Sequence, residues 1–144
     1  MRRAWHARVP TRARALGRPV ISVGNLVVGG SGKTPVVAAI ARFLLEQGER
    51  PSILSRGYGR RVHDDGAVVI STPERIIEGV ERSGDEPQML ARMLPGVPVI
   101  VCSDRHLAGT IAERRFGCTV HLLDDGYQHL QLWRDVDLRS EEHT

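Results

Sequence analysis

Residues 19–48 read PVISVGNLVVGGSGKTPVVAAIARFLLEQG, and the fold is decided here. Residues 19–26 are an apolar run rich in β-branched side chains, the composition of a buried strand. Residues 27–34, VVGGSGKT, form a glycine-rich turn. From Pro35 to Gln47, the side chains Val36, Ile40, Phe43 and Leu44 recur at helical spacing and share a face. Pro35 suits a first helical turn, where its missing N–H leaves no bond unmade. Gly48 suits the position just past the helix end. Strand, glycine loop and helix follow one another without a break.

That order is the layout of a phosphate-binding P-loop. The backbone N–H groups of Gly29, Gly30, Ser31 and Gly32 can turn inward on a phosphate, because glycine tolerates the dihedrals and puts no Cβ in the way. The following helix presents its positive end to the same anion. Lys33 would reach the β- and γ-phosphates of a nucleotide such as ATP, and the Thr34 hydroxyl would ligate Mg²⁺. Of the 20 basic residues, 19 are arginine, and the single lysine is Lys33. A compact ammonium at that point is not interchangeable with a planar guanidinium. The strict pattern asks for glycine at position 27. Val27 stands there, with Gly24 set earlier, so the loop is a variant.

Outward from this unit, strands and helices alternate. Pro51–Ser55 is a short strand leading into the loop Arg56–Arg61. Ala67–Ser71 is a further strand, expected as an excursion from the main sheet, and Pro87–Leu94 is helical with Met89, Leu90, Met93 and Leu94 inward. Val97–Ser103 is a strand, Arg105–Phe116 a helix around Leu107 and Ile111, and Thr119–Leu123 another strand. The alternation predicts an α/β fold, a parallel P-loop NTPase-like sheet flanked by helices. Val136–Leu138 begins one more strand before the chain turns wholly polar at RSEEHT, so the chain is expected to be truncated before its second half. The organisation read from this is a basic arm over 1–18, a nucleotide-binding domain over 19–138, and a polar, non-native-looking tail over 139–144.

The chain has 144 residues, 41% of them hydrophobic and 26% charged, enough for one domain with a true core. Its net charge of +3 is unevenly spread: Arg2, Arg3, Arg8, Arg12, Arg14 and Arg18 precede the first acidic residue, Glu46. Such an arm suits an anionic surface. Nucleic acid is not expected as a partner, because the charge is not interleaved with aromatics, which make up 4% of the chain. Cys102 and Cys118 have no metal-ligand spacing and read as reduced, buried thiols. No run of about 18 apolar residues is present to span a bilayer.

Four further groups can carry chemistry. HLLDD, residues 121–125, is an apolar strand ending in Asp124 and Asp125, the Walker B arrangement that places a carboxylate where Mg²⁺ sits; Asp-Asp-Gly is equally good turn chemistry. SGDEPQML, residues 83–90, sets Asp85 before a helix, either as its cap or as a general base that takes a hydroxyl proton. In RGYGR, residues 56–60, Arg56 and Tyr58 suit a phosphate or sugar ligand or simply a solvated loop. Asp104-Arg105 and Gln128-His129 are polar groups at predicted strand ends.

VGNLVVGGSGKTP, SRGYGR, GDEPQMLA, a strand followed by Asp104-Arg105, and LLDDGYQH occur in the order that resembles the tetraacyldisaccharide 4'-kinases. The likeness runs from about Pro19 to Asp137. It implies transfer of the ATP γ-phosphate to the 4'-hydroxyl of tetraacyldisaccharide 1-phosphate, giving lipid IVA for lipid A. It implies Ser31, Lys33 and Thr34 in the P-loop, Asp124 and Asp125 as the Walker B pair, and Asp85 as a catalytic aspartate partnered by a histidine. Arg105, Gln128 and Tyr58 match further active-site positions, with Arg56 and His129 beside them. A place on the cytoplasmic face of the bacterial inner membrane, held peripherally, is implied as well. Family members are usually more than twice this length, no partner histidine is found here, and the N-terminal segment is short. The chain alone is therefore expected to bind nucleotide weakly and to leave lipid unphosphorylated. The competing expectations are a P-loop ATPase or GTPase of the metal-chaperone type and a non-catalytic nucleotide-binding module.

Overall fold

The structure, a computed structural model, describes residues 14–24, 33–56, 66–124 and 132–138. The strands are β1 (Val20–Val23), β2 (Pro51–Ser55), β3 (Val68–Ser71), β4 (Val99–Val101), β5 (Val120–Leu123) and β6 (Val136–Leu138). The helices are α1 (Lys33–Glu46), α2 (Val80–Ser83), α3 (Asp85–Met93) and α4 (Arg105–Phe116). The strands form one sheet in the order β3-β4-β2-β5-β1-β6. Every neighbouring pair is parallel except β3 with β4.

The central strands are buried from end to end, which explains why they read as continuous apolar runs. Their side chains alternate between two cores. Val23, Ile53, Val99, Val101 and Leu122 pack under α1 and α3 with Val37, Ala41, Leu90 and Leu94. Val20, Leu54, Ile100 and Leu123 pack on the other face with Ala108 and Ala112 of α4. The parallel α/β architecture is thus as the sequence predicts, with helices on both faces. Gly48 ends α1 with φ +85°, the positive value expected of it.

Several details differ. The 67–71 strand is not an excursion but the antiparallel edge of the same sheet, with Val68 opposite Val101. Val36, Ile40, Leu44, Leu90, Met93, Leu94 and Ile111 pack on the core as expected, but one residue of each predicted helix face does not. Phe43 is 57% exposed, Met89 49% and Leu107 41%, while Val37, Ala38, Ala41, Ala91, Ala108 and Ala112 lie against the sheet. Small residues let the helix axes come close to a flat sheet, and the larger side chains are left at the margin of each stripe. The 87–94 helix starts at Asp85, and the short helix α2, unforeseen, leads into it.

Residues 14–18, the end of the basic arm, lie along α4. The Ala15 carbonyl is 3.1 Å from His106 Nε2, and the Arg18 N–H donates to Glu113 Oε2 at 3.0 Å. Leu16 packs in the α4-side core beside Gly109. The Trp133 N–H donates to the Arg14 carbonyl at 2.7 Å. These five residues therefore form a strap across α4, and residues 1–13 lie outside the described part. So does the tail over 139–144.

Candidate functional site

Parallel strands deliver their following residues to one edge of the sheet. Gly24 leaves β1, Arg56 leaves β2, Cys102 to Asp104 leave β4, and Asp124 leaves β5. The order of the strands places β1 between β5 and β6. The chain leaving β1 passes over β5 to reach β2, whereas the chain leaving β5 passes over β1 to reach β6. Two adjacent strands thus send their connections in opposite directions, and it is at the carboxyl edge beside such a pair that open α/β sheets bind their ligands.

In sequence the glycine loop joins β1 to α1 at this edge. Gly29, Gly30, Ser31 and Gly32 lie outside the described residues, but both ends of their loop are fixed. Where the loop begins, the Gly24 N–H donates to the Leu138 carbonyl at 2.8 Å. Where it ends, Lys33 and Thr34 open α1, with Thr34 half-buried. No acidic residue stands in the first turn of α1, so the positive end of that helix is not neutralised from within. Of Lys33 the backbone alone is described.

Asp124 follows β5 directly and is 4% exposed. Its backbone N–H reaches the Leu54 carbonyl at 3.5 Å, which keeps it in line with the neighbouring strand β2. A carboxylate buried at such a point carries a desolvation penalty that a cation or hydrogen-bond donors must offset. Asp125, Tyr58, Gln128 and His129 lie outside the described residues. Arg56 is exposed at the exit of β2.

The Asp104-Arg105 pair has a plain structural use. The Asp104 carboxylate caps α4 by accepting from the His106 and Leu107 N–H groups at 3.1 and 3.2 Å. Arg14 Nη2 reaches both of its oxygens, at 3.1 and 3.2 Å. Burial works to raise the Asp104 pKa, but the Leu107 N–H bond, Arg14 and the His106 N–H outweigh it and hold the carboxyl below 3.8. Arg105 is 3% exposed, and its Nη1 donates to the Cys102 carbonyl at 3.2 Å. That bond ties the end of β4 to the start of α4.

Asp85 is the first residue of α3 and is exposed. The cap position belongs to Gly84, and no side chain closes the helix end. The capping use that Asp85 could have had is therefore not the one it has. Because α3 ends just before β4 begins and packs on β3 and β4, it runs against the strand direction. Its first residue is lifted toward the carboxyl edge, the edge that also carries Asp124 and Thr34. Sequence reasoning passed over Ser83 and Gln88, both buried below this corner. The available signal was a glutamine on the inward face of the helix, one turn before Ala91.

The family model of LpxK, tetraacyldisaccharide-1-P 4'-kinase, matches residues 1–139. The chain belongs to the tetraacyldisaccharide-1-P 4'-kinase family. It is 50% identical over 133 residues to the tetraacyldisaccharide 4'-kinase of Pelobacter propionicus, covering 92% of this chain and 37% of that protein. It is 44% identical over 138 residues to that of Geobacter sulfurreducens, covering 96% and 39%. A crystal structure of LpxK from Aquifex aeolicus in complex with ATP superposes with a TM-score of 0.81 at 39% identity, covering 96% of this chain and 42% of that one. The chain thus spans little more than a third of these family members, the third that includes the strand, loop and helix at the edge. Among the described residues, no helix is long and apolar enough to cross a membrane.

Proposed function

We propose that the chain is the nucleotide-binding part of an ATP-dependent kinase that phosphorylates the 4'-hydroxyl of tetraacyldisaccharide 1-phosphate to give lipid IVA. The observation that carries this reading is the carboxyl edge itself. There the buried Asp124 stands at the end of β5 next to β1, which the glycine loop joins in sequence to α1, a helix with no acidic residue in its first turn.

In this reading the backbone of Gly29, Gly30, Ser31 and Gly32 holds the phosphates of ATP, and Lys33 binds the β- and γ-oxygens. The Thr34 hydroxyl and the Asp124 and Asp125 carboxylates form a hard oxygen donor set, the chemistry Mg²⁺ takes. When bound, Mg²⁺ supplies neutralising charge across the two terminal phosphates. Asp85 accepts the proton of the 4'-hydroxyl as its oxygen forms the new bond to the γ-phosphorus. The bond from that phosphorus to the β–γ bridging oxygen breaks, and ADP departs with the electron pair. Arg56, Tyr58, Gln128 and His129 line the acceptor side in the same reading, with Arg105 supporting that edge from its buried place at the start of α4. Arg2, Arg3, Arg8 and Arg12 meet the anionic cytoplasmic face of the inner membrane, each arginine contributing on the order of 1 kcal/mol before screening.

The test uses a full-length form, made by placing this chain ahead of the remaining length of the Pelobacter propionicus relative. Radiolabel from γ-labelled ATP is expected in the tetraacyldisaccharide. Lys33→Ala and Asp124→Asn are each expected to lower kcat by about 100-fold or more, since charge developing on the phosphoryl group loses its cradle. Label transfer undiminished in both variants would overturn the assignment of this edge.

A further inference from the structure

The corner between α2 and α3 is held from below by two buried polar side chains. Ser83 is 0% exposed and Gln88 6%. Gln88 Nε2 donates to Ser83 Oγ at 3.1 Å and to the Glu78 carbonyl at 3.0 Å. Its Oε1 accepts from Arg92 Nε at 3.4 Å, so the amide's orientation is fixed at both ends. Ser83 Oγ, in turn, donates to the Gly84 carbonyl at 2.7 Å. That same carbonyl accepts the Gln88 N–H at 3.3 Å.

The chain of bonds ends on one peptide plane. The Gly84 carbonyl and the Asp85 nitrogen belong to the same planar unit, so fixing one fixes the other. Gly84 has φ +85° and ψ 170°, a backbone region that favours glycine, and it provides no side-chain cap. With the usual cap missing, the serine below and the glutamine one turn on fix the direction in which α3 begins. Buried amides and hydroxyls are costly in a corner that apolar packing could fill. Here Gln88 holds the Ser83 hydroxyl, and that hydroxyl and the Gln88 N–H both end on the plane that precedes an exposed carboxylate.

We propose that Ser83 and Gln88 are positioning residues that set the orientation of Asp85 toward the acceptor hydroxyl. This rests on the proposal that Asp85 is the general base. A carboxylate displaced by a fraction of an ångström still sits beside the hydroxyl but meets its proton at a poorer angle. The turnover number therefore suffers, whereas ATP, held at the glycine loop, does not feel the change.

The experiment compares Gln88→Leu, Ser83→Ala and Asp85→Asn in the full-length form, singly and with Asp85→Asn combined with each of the others. Gln88→Leu is expected to lower kcat on the order of 10- to 100-fold, and Ser83→Ala by about 5-fold, with the KM for ATP changed by less than about 2-fold. In the Asp85→Asn background either brace substitution is expected to change kcat by less than about 3-fold, because the group it positions is gone. Full activity of Asp85→Asn would overturn the general-base reading and this inference with it. A strong loss in Asp85→Asn together with normal kcat in both brace variants would overturn the inference alone. So would brace losses that multiply undiminished onto Asp85→Asn, the result for a purely structural role. Thermal unfolding accompanies each assay. If Gln88→Leu melts early, Ser83→Ala, which removes a single hydroxyl, decides the matter.

Discussion

Gly109→Ala, in the middle of α4, sets two effects against each other. By helix propensity alone the change stabilises, by roughly 0.8–1 kcal/mol. The site, however, is filled from outside. A Cβ at Gly109 would stand 2.3 Å from Leu16 Cδ1, 2.9 Å from Cδ2 and 3.2 Å from Cγ. Rotating the leucine about its terminal bond moves the two methyls but leaves Cγ in place, so the strap itself must shift. Its backbone is tied by the Trp133–Arg14, His106–Ala15 and Arg18–Glu113 hydrogen bonds, at 2.7, 3.1 and 3.0 Å. Overpacking of this kind costs about 1–3 kcal/mol, enough to exceed the propensity gain. The expected net effect is a loss of about 1 kcal/mol, a fall in Tm of roughly 3–5 °C for a chain of this size. The decisive comparison is with Leu16→Ala, which opens the space. In that background Gly109→Ala is expected to raise Tm, so the sign of one substitution reverses with the other. Circular dichroism melts and urea titrations of the four proteins measure it. A higher Tm for Gly109→Ala with Leu16 intact would refute the argument that the strap is seated against the helix.

Two further outcomes follow from the same face. His121, 0% exposed, lies between Ser52 Oγ at 2.7 Å from Nδ1 and Glu113 Oε2 at 2.8 Å from Nε2. Burial pushes its pKa below 6.5, outweighing the hydrogen bond and charge of Glu113. The unfolded chain then binds this proton more readily than the folded one, so stability is complete above about pH 6.5 and falls as the pH drops below it. Urea midpoints between pH 7.5 and 5 should show that slope, and His121→Gln should flatten it; a stability that rises on acidification would contradict the assignment. For Asp104, Asp104→Ala is expected to lower stability by about 1 kcal/mol through the lost α4 cap. Asp104→Asn should cost much less, and Arg14→Ala should stay within a few tenths, because the Arg14 partner is an exposed ion pair. Equal losses in Arg14→Ala and Asp104→Ala would mean the pair, not the cap, holds the helix end.

The strand and the helix on either side of the glycine-rich stretch in residues 19–48 were legible because each local signal agrees with the others. The apolar run stops at glycines, the glycines stop at a proline-bearing amphipathic helix, and Gly48 closes it. The β5 strand and its Asp124 were legible for a similar reason, since HLL is bounded by turn residues. What escaped depends on neighbours distant in sequence. Nothing local distinguishes the antiparallel strand Val68–Ser71 from a parallel one, because its direction is set by pairing with Val99–Val101. The inward faces of α1 and α4 are lined by alanines, and a search for large apolar side chains selects Phe43 and Leu107 instead. Residues 14–18 read as part of a basic arm because arginines surround Leu16, yet Leu16 is the residue that seats them. At the candidate site, Asp85 was found as a carboxylate beside a helix start. Ser83 and Gln88 were missed because each looks like an ordinary polar residue until the corner folds over them.

In sequence, Val136–Leu138 looks like a strand broken off shortly after it starts. In the fold it frames the strand that bears the glycine loop. The Val20 N–H donates to Asp135 Oδ2 at 2.9 Å, and the Asp135 N–H donates to the Val20 carbonyl at 2.8 Å, gripping the start of β1. The Leu138 carbonyl takes the Gly24 N–H at the other end, where the loop begins. With β5 on its opposite side, β1 is held at both ends and along both edges. Glycines supply little rigidity of their own, so a glycine-rich segment depends on the element it follows for a fixed base. The strand that leads into the loop is held instead by residues more than a hundred positions away in sequence.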